Sequence, residues 1–127
     1  MRRAWTTRDI PAPAEAVWEV LTDPERWPDW GPSVRAVDLQ APRLALGARG
    51  RVQTAARVWA PFEITRFDDG RAWSWAVAGL PATDHSVESL GASSCRAGFG
   101  VPWVAAPYLS ICRVALSRIE RLVRQAD

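Results

Sequence analysis

One histidine stands in this chain, His85, and its neighbours decide what chemistry is open to it. It lies in "PATDHSVESL" (residues 81–90), with Val87 two positions on. Trp73 and Trp75 sit upstream in "RAWSWAV", and Phe99 sits downstream in "CRAGFG". A histidine on a buried apolar face loses the solvation of its charged form. Its pKa falls, and the neutral imidazole offers one donor and one acceptor. Three roles follow for it. It can contact a ligand, it can take a proton from a carbon acid, or it can hydrogen-bond a neighbour such as Tyr108 or a backbone carbonyl for structure alone. Tyr108 is the only tyrosine and opens a long amphipathic segment. Its hydroxyl can face the same interior, or it can anchor that segment to the rest of the fold. His85 and Tyr108 are therefore the candidate catalytic residues.

Other chemistries are harder to build. All 16 basic residues are Arg, so no Schiff-base lysine exists. The absence of Lys and Asn reads as the mark of a GC-rich, bacterial genome. Cys95 and Cys112 fit no metal spacing, and a lone histidine without clustered acids is no metal site. No nucleophile can be placed beside His85 for a Ser-His-Asp set. "GFG" (98–100) reads as a bend in a strand and not as a phosphate loop. No metal and no cofactor are expected. A net charge of +2 with scattered arginines argues against nucleic acid as a partner. No apolar run is long enough for stable membrane insertion, and "MRRAWTTRDI" lacks the apolar core of a signal peptide. The cysteines read as small core residues of a reduced, cytoplasmic protein. At 127 residues the chain is expected to form one domain over residues 1–127, as a monomer or homodimer.

The elements that must position these residues follow from periodicity. "RAWTTRDI" (3–10) reads as a first strand. In "PAPAEAVWEVLTD", Pro13 suits a helix start, and Val17, Trp18, Val20 and Leu21 form one apolar stripe. Asp23 caps a second short helix that begins at Pro24 and that Pro28 keeps short. Trp27 and Trp30 lie at the edge of that break, in "TDPERWPDW" (22–30). From Val34 the period becomes two, with strands near 34–40, 51–60, 62–67, 72–78, 83–90 and 94–101. The breaks between them are "LGARG", "AP", "DDGR", "GLP" and "GAS". After Pro107 a long amphipathic helix runs to the end. The fold class is α+β: a curved seven-stranded antiparallel sheet, two short helices after strand 1, and a long C-terminal helix over the concave face.

The turns fix an expected register. A three-residue "GLP" turn sets Trp75 opposite His85 and Trp73 opposite Val87. A three-residue "GAS" turn sets His85 opposite Phe99 and Glu88 opposite Arg96, an exposed cross-strand ion pair. A four-residue "DDGR" turn sets Ile64 opposite Trp75. One face then carries Phe62, Ile64, Trp73, Trp75, Val77, His85, Val87, Ala97 and Phe99, and the other carries Glu63, Thr65, Ser74, Asp84, Ser86, Glu88 and Arg96. The candidate ligand-binding residues are Trp30, Trp59, Ile64, Trp73, Trp75, Val87 and Phe99. Trp30 precedes a Gly-Pro exit that leaves it free to face a ligand. Trp59 is a packing or rim residue.

"IPAPAEAVWEVLTDPERWPDWGP", the middle "FEITRFDDGRAWSWAVAGLPATDHSVESLG" and the closing helix resemble the START-like superfamily, also called SRPBCC or helix-grip proteins. The resemblance is to their polyketide cyclase/dehydrase-like branch and covers nearly the whole chain. It implies a cavity between helix and sheet, with the two short helices at its mouth. The expected function is binding of a small hydrophobic molecule, polyketide-, aromatic- or isoprenoid-like, with cyclase/dehydratase-like turnover. A non-catalytic carrier is the alternative, and a protein-interaction module using Trp27 and Trp30 is the third.

Overall fold

The computed structural model describes residues 2–125. Seven antiparallel strands form one sheet in the order β1-β7-β6-β5-β4-β3-β2. They are β1 (Arg3–Ile10), β2 (Val34–Leu39), β3 (Arg49–Thr54), β4 (Trp59–Asp68), β5 (Ala72–Val77), β6 (Leu80–Gly91) and β7 (Ser94–Pro102). Between β1 and β2 come α1 (Ala14–Thr22), a 3₁₀ turn at Pro24–Arg26 and α2 (Trp27–Trp30). After β7 a 3₁₀ segment, Trp103–Tyr108, leads into α3 (Leu109–Gln125), which packs on β1, β7, α1 and α2. The fold is the α+β helix-grip arrangement that the sequence pattern implied.

The break after α1 has a physical purpose. Helix ends leave carbonyls without partners, and a buried orphan carbonyl is costly. The indole N–H of Trp27 donates to Leu21 O at 2.9 Å, and that of Trp30 donates to Val20 O at 3.2 Å. Both rings are buried, at 1% and 5% exposure. One residue type thus closes the end of α1 and fills the core beneath it. Asp23 caps the 3₁₀ turn as expected, accepting from Glu25 N at 3.1 Å. Pro28 does not end a helix. It sits in the first turn of α2, where a missing N–H is harmless.

The "DDGR" and "GAS" turns are each one residue shorter than read, closing at Asp68–Ala72 and Gly91–Ser94, and a ladder irregularity restores the expected pairs beyond them; two other breaks differ more. The "AP" break is not a turn. β3 ends at Thr54, the chain reverses over 55–58 with Arg57 at φ 65°, and β4 runs straight through Pro61. Pro61 has no N–H to give, but its carbonyl still takes Ala78 N–H at 2.8 Å. The "GLP" turn is really a two-residue turn of Ala78 and Gly79, both at positive φ (53° and 79°). That geometry suits the twist of a hairpin. Closing at Val77–Leu80 moves the pairing by three residues, and an irregularity between Ser74 and Ala76 gives one back, so beyond it β6 has slid by two and Trp73, not Trp75, faces His85. A slip of two leaves His85 and the residues beyond the irregularity on their expected faces. The pairs His85–Phe99, Glu88–Arg96 and Ile64–Trp75 stand as expected. The Arg96 guanidinium, however, hydrogen-bonds Asp9 of β1, at 2.7 and 3.3 Å, and not Glu88. Cys95 and Cys112 are buried, free core residues.

Candidate functional site

His85 lies mid-way along β6 and is 2% exposed. Its ring stacks on Trp73 at 3.8 Å and 17°, and meets the edge of Phe99 at 4.9 Å. Trp30 and Trp75 complete the aromatic surround at 6.1 and 6.2 Å. Nδ1 lies 3.2 Å from Trp73 O, which can only accept, so Nδ1 carries the proton. Nε2 is then the acceptor and takes the Thr83 hydroxyl proton at 3.1 Å. Thr83 Oγ1 in turn accepts from the Trp75 indole N–H at 2.8 Å. The chain of donation is therefore directed: Trp75 to Thr83, Thr83 to His85, His85 to Trp73. Burial pushes the imidazole pKa down to about 3, against a smaller upward pull from the Trp73 carbonyl. The ring is neutral across the physiological range, and both of its nitrogens are engaged.

Two concavities adjoin this cluster. The inner one is narrow, about 40 Å³, and is bordered by His85, Trp73, Phe99, Trp30, Ile111 and Cys112. The outer one is about 300 Å³, lined by Val52, Val77, Pro81, Ala82, Val101 and Ala105. Ser33, Val34, Trp75, Thr83 and Tyr108 line both. The interior is thus largely packed with tryptophan, and the room lies toward the open end of the grip. Among the candidate residues, His85, Trp30, Trp73 and Phe99 border only the inner concavity, and Trp75 and Tyr108 border both. Ile64 and Val87 are buried in the packed core and line neither concavity. Trp59 is 42% exposed, carries the Arg51 guanidinium over its ring at 5.0 Å, and also lines neither.

Tyr108 ends the 3₁₀ segment and does not open α3. Its hydroxyl lies 2.6 Å from Ser33 Oγ, tying the start of α3 to the exit of α2. Burial raises the phenol pKa, with the Ser33 hydrogen bond opposing, so the phenol remains protonated at neutral pH. Burial likewise pushes the Cys112 thiol up to about 11, which removes it as a nucleophile. The indole N–H of Trp73 is buried without a hydrogen-bond partner, at a cost of about 1–3 kcal/mol. Among the described residues no group of three or more His, Cys, Asp or Glu is placed to hold a metal ion, and no helix is long and apolar enough to cross a membrane.

Thr83 and Ser33 are site residues that sequence reasoning missed. The signal for Thr83 was present: it lies two positions before His85, on the same face of the strand. Ser33 gave none, because its partner is 75 residues away in the chain.

The sequence pattern of the family described as polyketide cyclase/dehydrase and lipid transport matches residues 1–99. The chain belongs to that family. No curated protein matches it by sequence. Among solved structures, it is similar to protein XoxI from Bacillus cereus, with TM-score 0.75, 15% identity, and 97% and 96% of the two chains covered. It is also similar to the Zhui aromatase/cyclase from Streptomyces sp. R1128, with TM-score 0.72, 15% identity, and 98% and 94% covered. A third likeness is to norcoclaurine synthase from Thalictrum flavum in complex with dopamine and hydroxybenzaldehyde, with TM-score 0.67, 13% identity, and 99% and 88% covered. At such identities these likenesses establish the fold that the family member shares.

Proposed function

We propose that the protein binds a small, flat hydrophobic molecule in the cavity between the sheet and the 3₁₀ segment that leads into α3, and promotes a cyclase- or dehydratase-like reaction on a polyketide-like chain. The carrying observation is the outer cavity of about 300 Å³, whose walls are valine, alanine, proline and Trp75 with only a few hydroxyls. Apolar walls with few polar groups suit a ligand recognised by area burial and stacking. Family membership and the printed names of the aromatase/cyclase and norcoclaurine synthase neighbours support the same reading. In an aldol closure, a methylene carbon gives up a proton to solvent and joins a ketone carbon, whose oxygen takes up a proton to become a hydroxyl; that hydroxyl then leaves as water with the second hydrogen of the same methylene carbon. A cavity that holds the chain bent contributes by orientation, worth up to ~7–11 kcal/mol at best. The protonated Tyr108–Ser33 pair is suited to donate to an oxygen on which charge develops.

A carrier without turnover is the second reading, and one observation favours it. Both nitrogens of His85 are engaged and its pKa is about 3, so the imidazole holds Thr83 and Trp75 in place but is a poor proton acceptor. The test is calorimetric titration with 2-naphthol, then incubation with a linear poly-β-keto thioester of N-acetylcysteamine followed by aromatic absorbance. Saturable binding that Ala82→Trp abolishes by filling the cavity supports the site. Absorbance rising above the protein-free rate supports the enzyme, and binding without it supports the carrier. No binding of either compound overturns both.

A further inference from the structure

We infer that the ligand carries a hydroxyl group and donates its hydrogen to Thr83 Oγ1. This deepens the binding reading above and rests on it. A threonine hydroxyl has one hydrogen and two lone pairs. The Trp73 carbonyl compels Nδ1 of His85 to carry the ring proton, so Nε2 must receive the Thr83 hydrogen. One lone pair of Oγ1 is taken by the Trp75 indole N–H. What remains is one lone pair and no hydrogen, on a half-buried residue that lines both concavities. Thr83 is therefore fixed as an acceptor, although threonine in general serves as donor or acceptor. A phenol or enol fits it, whereas a ketone or an ether presents oxygen to oxygen with no hydrogen between them. The Trp75 ring that orients Thr83 also lines both spaces, so an aromatic ligand can stack and donate at once. His85 acts in this scheme as a positioning residue, through its grip on the Thr83 hydrogen.

The test compares 2-naphthol with 2-methoxynaphthalene, which keeps the rings and the oxygen but has no hydrogen to give. Calorimetry on the wild-type protein is expected to show 2-naphthol binding about 5-fold tighter, the scale of one hydrogen bond. Thr83→Val keeps the shape, loses the acceptor, and is expected to bind both compounds equally. Thr83→Ser restores the hydroxyl and with it the preference, which separates loss of the acceptor from damage to the fold. Equal binding of the two compounds by wild-type protein, or a preference that survives in Thr83→Val, overturns the Thr83 assignment while leaving the cavity reading intact. Failure of wild-type protein to bind either compound overturns the cavity reading and this inference with it.

Discussion

Acidification is the sharpest probe of the buried imidazole. Folded, His85 has a pKa of about 3; unfolded, it returns to about 6.5. Between those values the unfolded chain binds one proton more than the folded chain. Stability is therefore full above pH 6.5, falls as pH drops through the window, and levels off below pH 3. The slope inside the window is about 1.4 kcal/mol per pH unit, which gives a loss of about 2 kcal/mol between pH 7 and pH 5. No other histidine contributes, since the chain has only this one. Carboxylates titrate mainly below this range. Urea unfolding at a series of pH values, followed by tryptophan fluorescence, reads the difference directly. His85→Asn, which does not titrate, is expected to show a flat profile over pH 7 to 5 whatever its absolute stability. A wild-type profile that is flat over the same interval refutes the buried, neutral ring.

The hydrogen-bond chain predicts that ¹⁵N-edited NMR finds the single imidazole protonated at Nδ1 and unprotonated at Nε2 at pH 7; the opposite tautomer contradicts it. Trp27→Phe keeps an aromatic plug but orphans the Leu21 carbonyl, and denaturant titration is expected to show a loss of roughly 2–4 kcal/mol. At Gly50 an added Cβ would run into the Asp38 carbonyl oxygen and lie 2.8 Å from the Phe62 ring. At Gly100 it would meet the half-exposed Trp5 ring at 2.8 Å, and that ring is free to swing away. Gly50→Ala is therefore expected to cost more than about 2 kcal/mol and Gly100→Ala less than about 1, read as denaturation midpoints.

The fold was legible because its signals are local. Period-two alternation marked the strands, and face parity at His85 survived even where register did not, since the odd displacement made by the Ala78–Gly79 turn is brought to an even one by the irregularity between Ser74 and Ala76. Ala78 hid that turn, because nothing in an alanine announces a positive φ. Pro61 suggested a break that the ladder tolerates by using its carbonyl alone. The aromatic surround of His85 was readable from spacing, whereas the amount of empty space was not. The size of the inner concavity depends on how Trp27 and Trp73 stack, at 5.1 Å and 13°, across 46 residues of chain. Ile64 and Val87 shared a face with the site residues yet ended in packed core. Face identity says which side of the sheet a residue is on, but not how far along the strand the packing stops.

The most direct test is a crystal structure of the protein grown with saturating 2-naphthol. The account predicts one naphthalene ring in the outer cavity, between Trp75 and Tyr108, with its oxygen within hydrogen-bond distance of Thr83. A ring bound only on the outer surface, or a cavity left without ligand at saturation, contradicts it.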